Sequence, residues 1–208
     1  MLFRDQWTFT RAWLRNPVKV SAVAPSSRAL AAAMAVQVPL DGQVIVELGG
    51  GTGSITAGLL RAGVEPENLY VVERDAYLSE ALRLRFPDVR ILKGDATRLP
   101  GILANAGLNA SVGAVVSSLP LLSMGPDLQR RILCAAMAVT EAASPIIQFS
   151  YGLKCPIPDK LLTALDLRAQ RMDRVWRNLP PAAVWRLERR SRTAVQLRPI
   201  RGAAALGS

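Results

Sequence analysis

The chain has 208 residues, half of them apolar, and a formal net charge of +10. This length suits one α/β domain with a buried core and is short for two, and the apolar content excludes a disordered chain. The charge predicts an anionic partner: a nucleic acid, an anionic membrane surface or an acidic substrate. The sequence contains no histidine, so it lacks both an imidazole base and the commonest metal ligand, and we expect no metal site.

Strand-like and helix-like patterns alternate from about residue 44 onward. Short apolar stretches predict strands at residues 44–48, 69–72, 89–92, 112–116 and 146–149. Helical patterns lie between them, including one at residues 127–139. Continuous apolar strands between helices predict an α/β fold with a parallel sheet that is covered on both faces. Two Arg-rich stretches, on either side of Pro180-Pro181, predict a closing antiparallel strand pair.

Two other features bear on the cellular compartment. Cys134 and Cys155 lie far apart and form no C-x-x-C pair, which predicts reduced thiols in a cytoplasmic protein. The N-terminus mixes arginines with aromatics and lacks the uninterrupted apolar stretch of a signal peptide. Residues 99–126 carry no charge, but their asparagines, serines and glycines predict a loop, a buried strand and a second loop rather than a membrane span.

A glycine-rich turn follows the first predicted strand and reads Glu-Leu-Gly-Gly-Gly-Thr-Gly at residues 47–53. Glycines at a strand-to-helix turn let the backbone bend sharply and approach a ligand closely. A phosphate-binding P-loop is excluded because no Gly-Lys-Ser/Thr ending is present. A dinucleotide site is excluded because Ser54 and Thr56 stand where the third glycine of G-x-G-x-x-G belongs. An acid followed by G-x-G-x-G remains.

This arrangement suits S-adenosyl-L-methionine (SAM). The carboxylate of its amino-acid end can meet the free N–H groups of a helix N-terminus, and its cationic sulfonium tolerates Glu47 nearby. Glu73 ends the second strand, where it can accept from the ribose hydroxyls, and Asp95 follows the third strand, where it can accept from the adenine amino group. The predicted cofactor contacts are Glu47, Gly49, Gly51, Gly53, Glu73, Asp95, Ala96 and Ser117.

As a whole, the pattern resembles class I SAM-dependent methyltransferases. The resemblance implies a Rossmann-like seven-stranded sheet with an antiparallel final hairpin, preceded here by N-terminal helices. Such enzymes usually place the acceptor after the fourth strand, where this chain reads Ser-Ser-Leu-Pro-Leu-Leu at residues 117–122. Methylases of exocyclic base nitrogens, including the rRNA adenine dimethylases, carry an Asn or Asp and an aromatic residue where this chain has Ser118 and Leu121. The amide and the ring that would hold a base are therefore missing.

The sequence more closely resembles the small, soluble type of bacterial phospholipid N-methyltransferase. The segments that carry this resemblance are Ser-Ala-Val-Ala-Pro-Ser-Ser at 21–27, Val-Glu-Leu-Gly at 46–49, Val-Glu-Arg at 72–74, Ser-Ser-Leu-Pro at 117–120 and Phe-Ser-Tyr-Gly at 149–152. One departure is Gly50, where the family often has Pro, and we expect it to make the turn more flexible without removing a contact. The resemblance implies stepwise methylation of phosphatidylethanolamine to phosphatidylcholine at the membrane surface, with S-adenosyl-L-homocysteine as the other product.

The chemistry of amine methylation then assigns the remaining candidates. The acceptor amine must be neutral to attack the methyl group, so the site must desolvate it or remove a proton. Tyr151, after the fifth strand, is the candidate that binds the amine and helps to deprotonate it. Ser117 and Ser118 are the other catalytic candidates, through their hydroxyls or carbonyls. Arg28 and Lys154 are candidates for the lipid phosphate.

The N-terminus independently predicts a membrane contact. Residues 1–40 are predicted to form an amphipathic, membrane-binding helical segment ahead of a methyltransferase domain at residues 41–201. Placed on a helix, the first residues divide into an aromatic face and a basic face, as an interfacial helix does, although such a helix can also pack on its own domain. The predicted membrane contacts are Phe3, Arg4, Trp7, Arg11, Trp13 and Arg15.

We therefore expect a cytoplasmic enzyme that associates peripherally with the inner face of the cytoplasmic membrane and favours anionic lipids. Residues 168–201 add a second basic region, which could meet lipid phosphates or nucleic acid equally well. Two alternatives remain open, an RNA or DNA methyltransferase and a cofactor-binding protein without activity. Nucleic acid is the less expected partner.

Overall fold

The structure is a computed structural model that describes residues 28–108, 110–151, 154–176, 178 and 180–190. A seven-stranded sheet forms its centre. The strands are β1 (Val44–Leu48), β2 (Leu69–Glu73), β3 (Arg90–Lys93), β4 (Val112–Ser117), β5 (Ile146–Tyr151), β6 (Leu167–Val175) and β7 (Ala182–Arg189). Their order in the sheet is β3-β2-β1-β4-β5-β7-β6. Among the described residues, β7 runs antiparallel to both of its neighbours, β5 and β6, and the other strand pairs are parallel. The predicted Rossmann-like sheet with its final hairpin is confirmed.

Helices cover both faces of the sheet. They are α1 (Arg28–Ala35), α2 (Ser54–Ala62), α3 (Ala76–Arg85), α4 (Leu99–Asn105), α5 (Pro126–Val139) and α6 (Asp159–Ala164). The first core lies under α1, α2 and α3 and includes Leu30, Leu59 and Leu82. The second core lies under α4, α5 and α6 and includes Leu99, Leu133 and Leu161. Successive residues of β1 enter opposite cores, which is why its sequence is continuously apolar.

The prediction of a loop at the start of residues 99–126 is wrong, because α4 occupies Leu99–Asn105. Pro100 stands in the first turn of this helix, where a missing N–H costs nothing. Leu99 and Leu103, four residues apart, are buried on one face in the second core. The helix is only seven residues long and contains a glycine, a proline and an asparagine, so its sequence gives a weak helical signal. The six-residue α6 was likewise not predicted.

The described part of the N-terminal segment is built into the domain. Leu30, Ala31 and Met34 of α1 are completely buried in the first core. The helices α1 and α2 approach so closely that a Cβ on Gly58 would lie 2.6 Å from the Cβ of Ala31. The predicted membrane contacts between Phe3 and Arg15 lie outside the described residues, and the division at residues 40 and 41 stays a prediction. None of the described helices has the length and apolarity to cross a membrane.

Candidate active site

The glycine turn has the backbone conformation that its sequence predicts. Gly49, Gly51 and Gly53 have positive φ angles of 80°, 52° and 80°. At Gly51, a Cβ would meet nothing nearer than the carbonyl oxygen of Gly49 at 3.9 Å. Packing therefore leaves this side of Gly51 open, and the left-handed backbone is what favours glycine. The open side can accept the close approach of a ligand.

Gly50 has a different role from the one expected. A Cβ at this buried position would lie 2.5 Å from Cγ1 of Val71 and 2.7 Å from Cδ1 of Leu82. Gly50 is therefore the residue that lets the turn pack against β2 and α3. The expectation that it merely makes the turn more flexible is wrong, because any side chain here would displace core atoms.

Glu73 ends β2 and links three segments of the site. Its Oε2 accepts a 2.9 Å hydrogen bond from the N–H of Gly51, and its Oε1 accepts a 2.8 Å bond from the N–H of Asp75. The side chain is thereby fixed beside the glycine turn. Each carboxylate oxygen can accept more than one hydrogen bond, so both keep capacity for the two hydroxyls of a ribose.

Glu47 lies beneath the turn, where it is completely buried. The hydroxyl of Thr56 donates a 2.7 Å hydrogen bond to its Oε2. Burial raises the pKa of Glu47 to about 8, the bond from Thr56 opposes this effect, and the charge of Glu73 adds to it. The raised pKa favours the neutral form of this acid.

Asp95 follows β3 and caps the short 3-10 turn at Ala96–Arg98. Its Oδ1 accepts hydrogen bonds from the backbone N–H of Thr97 at 2.8 Å and from the hydroxyl of Thr97 at 2.7 Å. These bonds lower the pKa of Asp95, so the group stays ionised. Ala96 packs against the second core. The capped carboxylate is held at the same edge of the sheet as Glu73, because β2 and β3 are parallel neighbours.

The acceptor loop, residues 117–124, connects β4 to α5 and is tied to the cofactor turn. The hydroxyl of Ser118 donates to the carbonyl oxygens of Leu48, at 3.2 Å, and of Gly49. Ser117 is buried on β4, and its hydroxyl has no hydrogen-bond partner in the described part of the chain. Of the two serines, Ser118 therefore holds the loop in place, whereas Ser117 keeps an unused polar group at the end of its strand.

Two buried glutamines that the sequence analysis missed hold the acceptor loop from below. Nε2 of Gln129, on α5, donates to the carbonyl oxygens of Leu121 at 2.7 Å, Met124 at 3.2 Å and Pro156 at 3.2 Å. Nε2 of Gln148, on β5, donates to the carbonyl oxygen of Leu119 at 3.0 Å. The position of Gln129 was a usable signal, because it shares the apolar face of α5 with residues three, four and seven positions later.

Tyr151 ends β5 at the same edge of the sheet. Its ring packs edge-on against Phe149, with centroids 5.4 Å apart, and contacts the first core. Burial raises the pKa of the Tyr151 phenol above its ordinary value of 10.0. The raised pKa disfavours the predicted role as a base and leaves the neutral phenol as a hydrogen-bonding group.

The predicted phosphate contacts are both exposed. Arg28 is the first residue of α1, and Lys154 lies in the loop after β5, where its carbonyl oxygen accepts a 3.0 Å bond from the hydroxyl of Ser150. Among the described residues, neither side chain makes a hydrogen bond or an ion pair with the acceptor loop. Their role therefore stays a prediction.

An open groove of about 270 Å³ lies beside the cofactor turn. It is lined by Gly51 and Thr52 on one side and by α3 on the other, from Tyr77 to Arg85. Arg85 links the two sides, since its Nη1 donates a 2.6 Å bond to the carbonyl oxygen of Thr52. Neither Glu73 nor Asp95 lines this groove. We therefore assign the site to the carboxyl ends of the strands, above β1, β2 and β3.

The residues at this edge fit SAM. The open side of Gly51 admits the ligand, and Glu73 is held where two further hydrogen bonds can reach it. The N-terminal N–H groups of α2, which follow Gly53, have no side-chain cap, and such groups attract a carboxylate. These donors, acceptors and open backbone match the amino-acid end and the ribose of the cofactor.

The strand order and the glycine turn define a class I SAM-dependent methyltransferase, and SAM is its cofactor. Similar solved structures support this fold. The O-methyltransferase from Bacillus cereus in complex with S-adenosyl-L-homocysteine matches with a TM-score of 0.61 and 13% identity, over 87% of this chain and 90% of that chain. The magnesium protoporphyrin IX methyltransferase from Synechocystis PCC 6803 with bound SAM matches with a TM-score of 0.55 and 11% identity, over 77% of this chain and 76% of that chain.

Comparison with proteins of similar sequence identifies the family within this class. No family model matches the chain. The ornithine lipid N-methyltransferase of Singulisphaera acidiphila is 33% identical over an alignment of 132 positions, which covers 61% of this chain and 68% of the relative. The chain belongs to the family of this enzyme. The ribosomal RNA small subunit methyltransferase A of Anaeromyxobacter dehalogenans is 29% identical over an alignment of 194 positions, which covers 84% of this chain and 62% of that relative's length.

Proposed function

We propose that this protein methylates the amine of a membrane lipid, with phosphatidylethanolamine as the acceptor that is converted stepwise to phosphatidylcholine. The acceptor loop carries the proposal. Leu121 is buried in the second core, and the hydroxyl of Ser118 is engaged with the cofactor turn. The loop thus offers neither a ring to stack on a base nor a free amide to hold one. The lipid N-methyltransferase relative supports the same acceptor class.

The chemistry rests on positioning rather than on a strong base. When bound, SAM supplies a methyl group on a positively charged sulfur, which an amine with a free lone pair can attack. The chain has no histidine, Glu47 is neutral, and the phenol of Tyr151 holds its proton. A partly desolvated site lowers the pKa of an alkylammonium, and the buried hydroxyl of Ser117 and the phenol of Tyr151 can accept hydrogen bonds from the amine. Most of the rate then comes from alignment of the amine with the methyl group.

A lipid acceptor requires the enzyme to act at the membrane surface. In this proposal the protein is cytoplasmic and associates peripherally with the inner face of the cytoplasmic membrane. Residues 1–16 supply the membrane contact, and Arg28 and Lys154 bind lipid phosphates. The net charge of +10 favours anionic bilayers.

Methylation of rRNA is the second candidate, because rRNA methyltransferases also match the chain. One experiment separates the candidates. The full-length protein is incubated with methyl-labelled SAM and, separately, with phosphatidylethanolamine vesicles, ornithine lipid vesicles and small-subunit rRNA. We expect label in phosphatidylethanolamine and its mono- and dimethyl products. Label in ornithine lipid alone would keep the lipid class and change the substrate, and label in rRNA alone would contradict the proposal.

The membrane helix is tested separately. Removal of residues 1–16 is expected to abolish sedimentation with vesicles while sparing the binding of S-adenosyl-L-homocysteine. Replacement of Arg4, Arg11 and Arg15 by Gln is expected to weaken sedimentation with anionic vesicles only, because each arginine contributes about 1 kcal/mol at an anionic surface. A truncated protein that still sediments with vesicles would move the anchor to another part of the chain.

A further inference from the structure

The β6–β7 hairpin brings its end to the edge of the sheet that holds the candidate active site. Tyr151 of β5 pairs with Ala182 of β7, and Ala182 pairs with Val175 of β6. These three residues form one row across the carboxyl edge. Neighbouring strands lie about 4.8 Å apart, so the Cα atoms of Tyr151 and Val175 are separated by about 10 Å. The residue after this row is Trp176.

A β-bulge directs the end of this hairpin. Arg171 pairs with Trp185 and Asp173 pairs with Val184, so Met172 is an extra residue in β6. An extra residue reverses which face the following side chains take and increases the local twist. As a result, Val175 is buried in the first core, whereas Trp176 immediately after it is 63% exposed. A large aromatic ring is thus held at the edge of the sheet by a buried neighbour.

The edge of the sheet that carries Trp176 combines apolar and basic groups. Arg174, two residues earlier on β6, is exposed. Lys154, in the loop after β5, is also exposed at this edge. Leu122, in the acceptor loop, is 45% exposed. Tryptophan prefers the headgroup level of a bilayer, where its ring is buried and its N–H stays hydrated, and arginine is attracted to anionic headgroups.

We propose that Trp176 and Arg174, here called the hairpin tip, dock on the surface of an anionic phospholipid bilayer and turn the carboxyl edge of the sheet toward the headgroups. The inference rests on the proposed lipid acceptor, and it adds a contact that is separate from the N-terminal segment. With Trp176 at headgroup depth, Tyr151 and the acceptor loop lie along the same edge. A lipid amine can then reach them without leaving the membrane.

The first test measures docking with the full-length chain. Sedimentation is compared on vesicles of phosphatidylethanolamine with phosphatidylglycerol and on vesicles of phosphatidylcholine alone. We expect Trp176→Ala to weaken binding roughly tenfold on both, because a large apolar surface is no longer buried. We expect Arg174→Gln to weaken it about fivefold on the anionic vesicles only. Binding of S-adenosyl-L-homocysteine is expected to be unchanged and reports that both variants fold.

Leu84 provides a matched control. It is 78% exposed between Arg83 and Arg85 on α3, which connects β2 and β3 at the other end of the strand order. Leu84→Ala is expected to bind vesicles as the wild type does. Equal losses for Leu84→Ala and Trp176→Ala would overturn the proposal, since the binding would then reflect general surface apolarity. Loss of RNA binding instead of vesicle binding in the two hairpin-tip variants would also overturn it.

A second test separates this inference from the proposed function. Methyl transfer is measured on vesicle phosphatidylethanolamine and on dihexanoyl phosphatidylethanolamine, which is dispersed in water. We expect Trp176→Ala to lose turnover on vesicles and to retain it on the dispersed lipid. If the wild type methylates both lipids and Trp176→Ala equals it on vesicles, the docking proposal fails and the proposed function stands. If the wild type methylates neither lipid, the proposed function fails, and vesicle sedimentation alone decides the docking proposal.

Discussion

The hydroxyl of Thr56 on α2 donates a hydrogen bond of 2.7 Å to Oε2 of Glu47 on β1, in a position where both side chains are completely buried. Oε1 of Glu47 has no hydrogen-bond partner among the described residues. An unpaired, buried carboxylate oxygen is costly when it is charged, so the site favours the protonated acid. The group beneath the cofactor turn is therefore an acid that favours its neutral form. Asp95, which follows β3, has a lowered pKa and stays ionised.

The protonation of Glu47 makes the stability of the fold depend on pH. Its pKa rises from an ordinary value of 4.5 to about 8 in the folded chain. Between these two pH values the folded state binds more protons than the unfolded state. The contribution of Glu47 to stability is therefore full below pH 4.5 and is lost as the pH rises to about 8. We expect Glu47→Gln to remove this loss, which approaches about 1.4 kcal/mol per pH unit inside the window. Urea unfolding from pH 5 to pH 9 measures it.

The control for this experiment is Glu80→Gln. Glu80 is exposed on α3 and pairs with Arg83 at the surface, so its replacement is expected to leave the pH dependence unchanged. If the free energy of unfolding has the same dependence on pH between pH 5 and pH 8 in the wild type and in Glu47→Gln, then Glu47 is ionised in the folded protein.

Replacement of Glu73 is expected to reduce cofactor affinity. Glu73→Ala removes the predicted acceptor of two ribose hydroxyls, and it also releases the N–H groups of Gly51 and Asp75. Hydrogen bonds to a charged group are worth about 1.5–3 kcal/mol each, so we expect at least a hundredfold loss of affinity for S-adenosyl-L-homocysteine. Calorimetry measures the affinity, and circular dichroism reports the fold. Unchanged affinity in a folded variant would remove Glu73 from the site.

Tyr151→Phe is expected to lower turnover without changing cofactor affinity. The phenol is assigned to the acceptor amine, and one neutral hydrogen bond is worth about 1 kcal/mol, which corresponds to about a fivefold loss of kcat. Tyr70→Phe is the control, because Tyr70 is buried within β2. Steady-state kinetics with titration of S-adenosyl-L-homocysteine distinguishes the two parameters. A parallel fall in turnover and in cofactor affinity would contradict the assignment.

Gln129 is expected to act as a positioning residue for the acceptor. Gln129→Met keeps the length of the side chain but removes the donor to the carbonyl oxygens of Leu121, Met124 and Pro156. The carbonyl of Leu121 keeps its bond from the N–H of Met124, whereas the carbonyls of Met124 and Pro156 lose their side-chain donor. A buried carbonyl without a partner costs about 1–3 kcal/mol, and the loop can shift to reach water. We expect kcat/KM for the lipid to fall roughly tenfold or more, because alignment of the amine is lost.

The affinity of the Gln129→Met variant for S-adenosyl-L-homocysteine is expected to stay within about twofold of the wild type. The hydrogen bonds that it loses lie around the acceptor loop and not around the cofactor turn. Gln170→Met, an exposed position on β6, serves as the control for the change of residue type. A variant with normal kcat/KM would indicate that the acceptor loop holds its position without Gln129.

The amino-acid sequence by itself determined the order of the strands along the chain and the place of the cofactor turn. Continuous apolar strands must be covered on both faces of the sheet. The G-x-G-x-G turn after β1 needs a left-handed backbone at its glycines, whatever surrounds it. These features depend on neighbouring residues, so local patterns were sufficient. The short helix α4 was not predicted from the sequence, because two leucines four residues apart are a weak helical pattern in a segment that also contains asparagine and glycine.

Only the tertiary structure decided the charge of Glu47, the packing role of Gly50 and the fixing of the acceptor loop by Gln129 and Gln148. Each of these depends on atoms distant in sequence. The pKa of Glu47 is raised by burial under α2, Gly50 is limited by Val71 and Leu82, and Gln129 reaches a carbonyl 27 residues away. Desolvation and steric exclusion are properties of the packed interior, so no pattern of neighbouring residues could have revealed them.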